Sequence, residues 1–248
     1  MISATILTKN SSETLAATLE SLRAFPEVLI FDTGSTDQTL SLARQFPNVK
    51  IVEEPFHGFG KAHNRASELA SHDWILSIDS DEVLLPELSK ELLNLTLDPK
   101  AVYSVQRCNY FQGKWIKYCS GWHPDILVRL YHRKATRFTD VPVHEAIISK
   151  DCNVIQLRGK LLHTPYRSIE SFLAKMQLYS DLFAEKNRGK TSSLWKALFH
   201  GFAAFLKNYL FKRGFLGGQE GLIISIHNAH MTYYKYLKLA FRNRERQP

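Results

Sequence analysis

Cysteine is scarce in this chain. Cys108, Cys119 and Cys152 are the only three, an odd count with no CxxC spacing, so neither a disulfide framework nor a zinc site is indicated and a reducing compartment fits. Long apolar runs are also missing: the best stretch, Leu194 to Leu210, is broken by Lys196, His200 and Lys207, short of the roughly 20 apolar residues that cross a bilayer. The first residues, Met1 to Thr8, lack the charged start and apolar stretch of a secretory signal. Negative charge is in deficit, with 24 Asp+Glu against 32 Lys+Arg giving +8, a balance suited to phosphates, nucleic acid or an anionic membrane. No nucleic-acid motif accompanies it, and the acidic clusters fall where a nucleic-acid backbone would approach, so nucleic acid is set aside as a partner.

What is present is an ordinary globular composition, 44% apolar and 23% charged over 248 residues, enough for one α/β domain with an appended element. Ile2 to Leu7 reads as a strand, followed by a polar loop and a helix carrying Leu15, Leu19 and Leu22 that ends before Pro26. Val28 to Phe31 is a second strand, Val49 to Val52 a third and Trp74 to Ile78 a fourth, with helices around Leu40 to Phe46 and Lys61 to Ala70. Strands alternating with helices predict a mainly parallel sheet covered on both faces, with ligands at the carboxyl ends of the strands. Ala101 to Val105 and Ile126 to Tyr131 predict two further strands, and Val154 to Leu157 with Leu161-Leu162 a last pair. From Ser168 the spacing of apolar residues is helical. The expected organisation is an α/β domain over 1–167, split into a ligand-binding half (1–90) and a second half (91–167), and a basic helical region over 168–248.

Two acidic clusters end predicted strands. Asp79-Ser80-Asp81 follows the fourth strand, and two carboxylates at that spacing can share one hard cation, Mg²⁺ or Mn²⁺, that keeps positions for phosphates; they would equally end a strand and cap a helix. Asp32-Thr33-Gly34-Ser35-Thr36-Asp37 follows the second strand, where Asp32 could accept hydrogen bonds from a base or ribose, or Ser35 and Asp37 could serve only to open the next helix.

These segments, with Leu7-Thr8-Lys9-Asn10 and Gly58-Phe59-Gly60-Lys61-Ala62-His63-Asn64, make the sequence resemble the family 2 glycosyltransferases of GT-A fold. The likeness is greatest to the bacterial lipopolysaccharide-core β-glucosyltransferase type and extends to Trp122 through Leu130, Val143-His144-Glu145 and Lys212 through Gly218. The resemblance implies a Rossmann-like GT-A sheet, a nucleotide-sugar donor, UDP-linked, and a glycolipid acceptor. It implies that Thr8, Asn10 and Asp32 line the nucleoside pocket, that Lys61 and Asn64 face the donor, and that Asp79 and Asp81 hold ribose and a metal-bound diphosphate. Ser35, Asp37 and Ser80 are further candidate donor contacts in the same turns, and His163 could supply a metal or phosphate contact or, like most lone histidines, neither.

Inverting sugar transfer needs one carboxylate as base. Glu145 is the first choice and Asp125 the second; an ion pair of Glu145 with Arg129 or Arg137 is the plain alternative. His144 would orient the base or touch the donor phosphates. Trp115, Tyr118 and Trp122 could stack on sugars or fill a core. Arg129, Arg133, Lys134 and Arg137 form a basic run expected opposite the donor carboxylates, either as contacts for the phosphates of a glycolipid acceptor or as a solvated basic face.

The C-terminal helices combine apolar faces with Lys and Arg, which suits an anionic membrane surface, helix packing on the sheet, or contact with a second copy of the chain. The expected location is cytoplasmic, on the inner membrane. Readings kept beside this one are a glycosyltransferase with a protein or polysaccharide acceptor and, of another class, a basic nucleic-acid-binding or catalytically inactive interaction protein.

Overall fold

The structure, a computed structural model, describes residues 1–119, 121–140, 145–166 and 168–244. Its contacts divide the chain into two units, Met1–Cys108 with Asp125–His163, and Asn109–Pro124 with Thr164 onward. The sequence reading keeps all of 1–167 apart from the helices; the contacts instead group 109–124 with them. The reason is apolar: Phe111, Ile116, Cys119 and Trp122 form one core with Phe172 and Ile224.

In the first unit β1 (Ile2–Thr8), β2 (Glu27–Asp32), β3 (Val49–Glu53) and β4 (Trp74–Asp79) run parallel. They are linked by α1 (Leu15–Ser21), α2 (Thr39–Ala43) and α3 (Phe59–Leu69). Every residue of β2 is buried because helices cover both faces. Val28 and Ile30 pack with Leu15 and Leu19 of α1 on one face, while Leu29 and Phe31 pack with Ala62 and Ala66 of α3 on the other. The period-two alternation of a strand thus divides one apolar run between two cores.

The chain then adds β5 (Glu82–Leu84), α4 (Pro86–Leu93), β6 (Ala101–Phe111), the short β7 (Lys114–Trp115), β8 (Ile126–His132) and β9 (Asn153–His163). The sheet order is β3-β2-β1-β4-β8-β6-β9-β5, with β7 paired to β6. β8 is antiparallel to β4 and to β6, and β9 is antiparallel to β5.

Two elements differ from the sequence reading. β5 is too short to show periodicity and exists through its pairing with β9. The predicted last pair of strands is one strand, because Gly159 is a contact and not a turn: a Cβ there would lie 2.3 Å from the Leu88 Cα of α4. Gly159→Ala is therefore expected to destabilise the fold by about 1–3 kcal/mol, the cost of overpacking a close approach, as read from urea unfolding.

The second unit is built from the 109–124 segment with α5 (Ile169–Lys186), α6 (Leu194–Leu206) and α7 (Gly218–Arg244). Ser168 and Ser193 cap α5 and α6, each hydroxyl accepting a backbone N–H at 3.2 Å. A π turn (Lys207–Phe211) and a 3₁₀ turn (Gly214–Gly217) lead into α7. Gly201 lets α6 close on α7, since a Cβ there would stand 3.1 Å from Tyr233 Cβ. No helix among the described residues is long and apolar enough to cross a membrane.

Candidate active site

Strand register brings the acidic clusters together. Thr8 lies opposite Asp32, and Leu7 opposite Asp79, so the ends of β1, β2 and β4 form one edge, at the point in the sheet where ligands gather in such folds. Asp32 is buried and turned inward there. It accepts from Thr8 Oγ1 at 3.0 Å, Gly34 N at 2.9 Å, Ser35 N at 2.8 Å and Ser35 Oγ at 2.5 Å. Burial opposes its charge, but these donors outweigh it and hold its carboxyl below the usual range. Asn10, in a left-handed conformation, accepts from Thr36 N at 2.8 Å, and its own N–H donates to Ser35 Oγ at 2.9 Å. Asp37 accepts from Thr39 Oγ1 and from the backbone N–H of Ser12 and Thr39. The residues read as nucleotide contacts therefore shape the two loops at this edge.

Asp79 closes β4 inside an ion-pair network. Arg129 Nη2 donates to Asp79 at 2.7 Å and also to the wholly buried Glu82. Arg107 Nη1 donates to Glu82 at 2.9 Å, its Nε to Asp125 at 2.8 Å, and the Asp79 backbone N–H donates to Glu82 at 3.0 Å. Burial works against the Asp79 charge, yet Arg129 and then Arg107 keep its carboxyl well below the ordinary value. Asp125 is thus paired with a guanidinium from inside the network.

Asp81 lies two residues beyond Asp79. Its Oδ2 stands 3.4 Å from His163 Nε2, because the β5–β9 register sets His163 opposite Glu82. Asp81 is a partly exposed carboxylate of the kind that holds a divalent cation together with substrate phosphates, and the His163 imidazole beside it is a second group such an ion accepts. No group of three His, Cys, Asp or Glu converges among the described residues, and Asp81 with His163 is the pair that would hold such an ion. Ser80 donates from Oγ to Ser11 Oγ at 3.0 Å, and its carbonyl accepts from Thr18 at 3.0 Å.

A cavity of about 390 Å³ adjoins Asp79, lined by His63, Arg107, Arg129, Phe138 and Glu145 among others. Glu145 Oε1 lies 4.0 Å from His63 Nε2. His63 is stacked on Phe138, ring centroids 4.2 Å apart, and burial lowers its pKa to about 4, so it is neutral at pH 7. The unfolded chain takes a proton at this histidine near 6.5 and the folded chain only near 4, so stability falls as pH drops through that window and is complete above it. At pH 5 the loss is about 2 kcal/mol, at about 1.4 kcal/mol per pH unit. Urea unfolding at pH 7.5 and pH 5 is expected to show it, and His63→Gln to reduce it; an equal drop in the variant would contradict the assignment.

Other residues fall elsewhere. Asn64 holds the chain across α3: its Oδ1 accepts from Phe138 N at 2.9 Å and its Nδ2 donates to Phe138 O at 3.1 Å. Beside it Gly60 admits the Thr139 carbonyl to 1.9 Å of where a Cβ would be. Lys61 is exposed on the same helix. Trp122 is a core residue of the second unit, packed on Phe111 and Tyr166. The basic run does not act as one: β8 pairs antiparallel with β4, His132 opposite Trp74, so Arg133 and Lys134 bind Asp73 at the far end of that strand. Only Arg129 of the run reaches the cluster at Asp79, while Arg137 faces Asp140 at 3.5 Å. His144 lies outside the described residues.

The sequence reading missed His63, Arg107 and the role of Glu82. Arg107, two residues beyond the predicted strand Ala101–Val105, is a usable signal, since a guanidinium drawn largely out of water demands carboxylates.

The doubly covered, mostly parallel sheet with both acidic clusters at the carboxyl ends of its strands is the frame of a ligand-binding α/β domain, and the family follows from sequence: residues 3–154 match the model of glycosyl transferase family 2, and the chain belongs to that family. It is a glycosyltransferase with a GT-A fold. It is 29% identical to the lipopolysaccharide core biosynthesis glycosyltransferase LpsC of Rhizobium meliloti, over 98% of this chain and 93% of that one. It is also 29% identical to an uncharacterised glycosyltransferase of Rickettsia conorii, over 96% of this chain and 89% of that one. The structure resembles the mannosyltransferase PcManGT of Pyrobaculum calidifontis in complex with GDP-Man and Mn²⁺, TM-score 0.52 and 16% identity, covering 99% of this chain and 88% of that one.

Proposed function

We propose that the chain is an inverting, metal-dependent hexosyltransferase that moves a hexose from a UDP-linked sugar to a lipopolysaccharide-core or related glycolipid acceptor. The observation that carries this reading is the Asp81–His163 pair, 3.4 Å apart, at the strand edge where the β2 and β4 turns meet. The lipopolysaccharide-core role in the name of LpsC supports the acceptor class, and the Mn²⁺ complex of PcManGT supports the cation.

Asp81 and His163 would hold Mg²⁺ or Mn²⁺ against the donor diphosphate, and the cation would supply positive charge that makes the diphosphate a better leaving group. Asp79, held ionised by Arg129 and Arg107, would orient the sugar and ribose hydroxyls that approach the cavity. Asp32, Asn10 and Asp37 act by fixing the loops whose backbone groups meet the nucleoside. Glu145 takes the proton of the acceptor hydroxyl as its oxygen bonds to the anomeric carbon and the bond from that carbon to the diphosphate oxygen breaks. His63, neutral and wedged on Phe138, flanks that carboxylate without neutralising it. A glycolipid acceptor places the enzyme at an anionic membrane face as a peripheral protein on the cytoplasmic side.

The test is donor hydrolysis. Purified protein with Mn²⁺ is expected to hydrolyse one of a panel of nucleotide-sugars slowly, and Asp81→Ala to abolish this while its unfolding midpoint stays within a few degrees. Hydrolysis at full rate by Asp81→Ala would overturn the assignment of the pair.

A further inference from the structure

The second unit carries an apolar face that its own helices leave uncovered. Along α6, Trp195, Leu198, Phe199 and Phe202 recur at helical spacing, and Trp195, Phe199 and Phe202 are 79%, 69% and 63% exposed. The opposite side of the same helix, Ala197 and Gly201, is buried, with Gly201 set against α7. The patch continues through Phe211, 80% exposed, and through Phe215 and Leu216 in the turns that follow. Five large aromatic side chains left in water on one unit are far from the scattered single exposures of an ordinary surface.

The charge around this face selects what covers it. From Lys186 to Gln219 the sequence holds seven Lys and Arg and not one Asp or Glu. Lys207, Lys212 and Arg213 are exposed, and none has a carboxylate partner among the described residues. A self-interface of two-fold symmetry would lay this patch on its own copy and bring two sets of unpaired cations together. A bilayer of anionic lipid meets both demands, since apolar side chains enter the acyl boundary while Lys and Arg remain among the headgroups. Between α6 and α7 a groove of about 320 Å³, lined by Leu198, Phe202, Phe205, Ile226 and Tyr233 among others, opens on the same helix face, and its walls are mostly apolar, as an acyl chain requires.

We propose that this face is a membrane-docking surface for anionic lipid: α6 lies in the headgroup plane with Trp195, Phe199 and Phe202 inserted, and the Lys207–Phe215 turns add a second contact. This deepens the reading of a glycolipid acceptor and rests on it for its purpose, but binding to vesicles is measurable without any turnover.

The experiment uses the full chain with vesicles of phosphatidylcholine containing 30% phosphatidylglycerol, and with phosphatidylcholine alone. Co-sedimentation is expected with the anionic vesicles, at least tenfold weaker with the neutral ones, and weakened by salt. Tryptophan emission is expected to shift to the blue on binding, and Trp195→Phe to remove most of that shift. Phe199→Glu with Phe202→Glu should lower vesicle affinity at least tenfold while donor hydrolysis stays at the wild-type rate. If that pair fails to fold, Lys207→Glu with Lys212→Glu keeps the test open, with the loss then confined to anionic vesicles. Equal affinity for neutral and anionic vesicles, or no vesicle binding together with a dimer that Phe202→Glu dissociates in sedimentation, would overturn the proposal in favour of another occupant. Loss of donor hydrolysis with intact vesicle binding would instead strike the catalytic reading and leave the surface standing.

Discussion

Glu145→Gln is expected to slow sugar transfer by roughly 10²–10⁴-fold, the span typical of losing a positioned general base, with donor affinity nearly unchanged. The amide keeps the size of the carboxylate and its place on the cavity wall beside His63, but it takes up no proton at neutral pH. Asp125 is the competing carboxylate, and the structure weighs against it because Arg107 Nε already donates to it at 2.8 Å. Steady-state turnover with donor saturating separates the two. A Glu145→Gln enzyme working within a few-fold of wild type, with Asp125→Asn slow, would reverse the assignment.

The second large effect is on stability. Arg129 is 7% exposed and Glu82 fully buried, and Arg129 joins Glu82 to Asp79. Arg129→Met removes one guanidinium and leaves Glu82 in the interior with, among the described residues, Arg107 and the Asp79 amide as partners. Removing one member of a buried pair costs about 3–5 kcal/mol because the remaining charge stays desolvated. A shift of that size in urea unfolding is expected, and the double variant Arg129→Met with Glu82→Leu should recover part of it. A loss below about 1 kcal/mol would mean that the network is better hydrated than its burial implies.

Much of the fold could be read before the structure, since β1, β2 and β4 are apolar along nearly their whole length, interrupted only by the small polar Ser3, Thr5 and Ser77, and end on polar turns, the mark of strands buried on both faces. The placement of Asp32 and Asp79 at one edge followed from parallel order alone. What escaped the sequence was long-range pairing. Nothing local to Glu82–Leu84 announces a strand, and nothing local to His163 places it beside Asp81; both arise when β9 comes back antiparallel along β5. The same cause defeated the basic run, because the antiparallel course of β8 carries Arg133 and Lys134 to the end of β4 remote from Asp79. Asp32 shows a subtler gap. The motif contains the hydroxyls and the glycine that satisfy its carboxylate, yet whether an acid with such neighbours faces a ligand or its own loop depends on the turn geometry.

The pairing of Asp81 with His163 is the arrangement on which the catalytic account stands, and calorimetric titration of nucleotide-sugars with and without Mn²⁺ tests it most directly. The account predicts donor binding that strengthens at least tenfold with Mn²⁺ in the wild type, and loses that gain in both Asp81→Ala and His163→Ala while each stays folded. Binding equally tight without metal, or an undiminished Mn²⁺ effect in both variants, would contradict it.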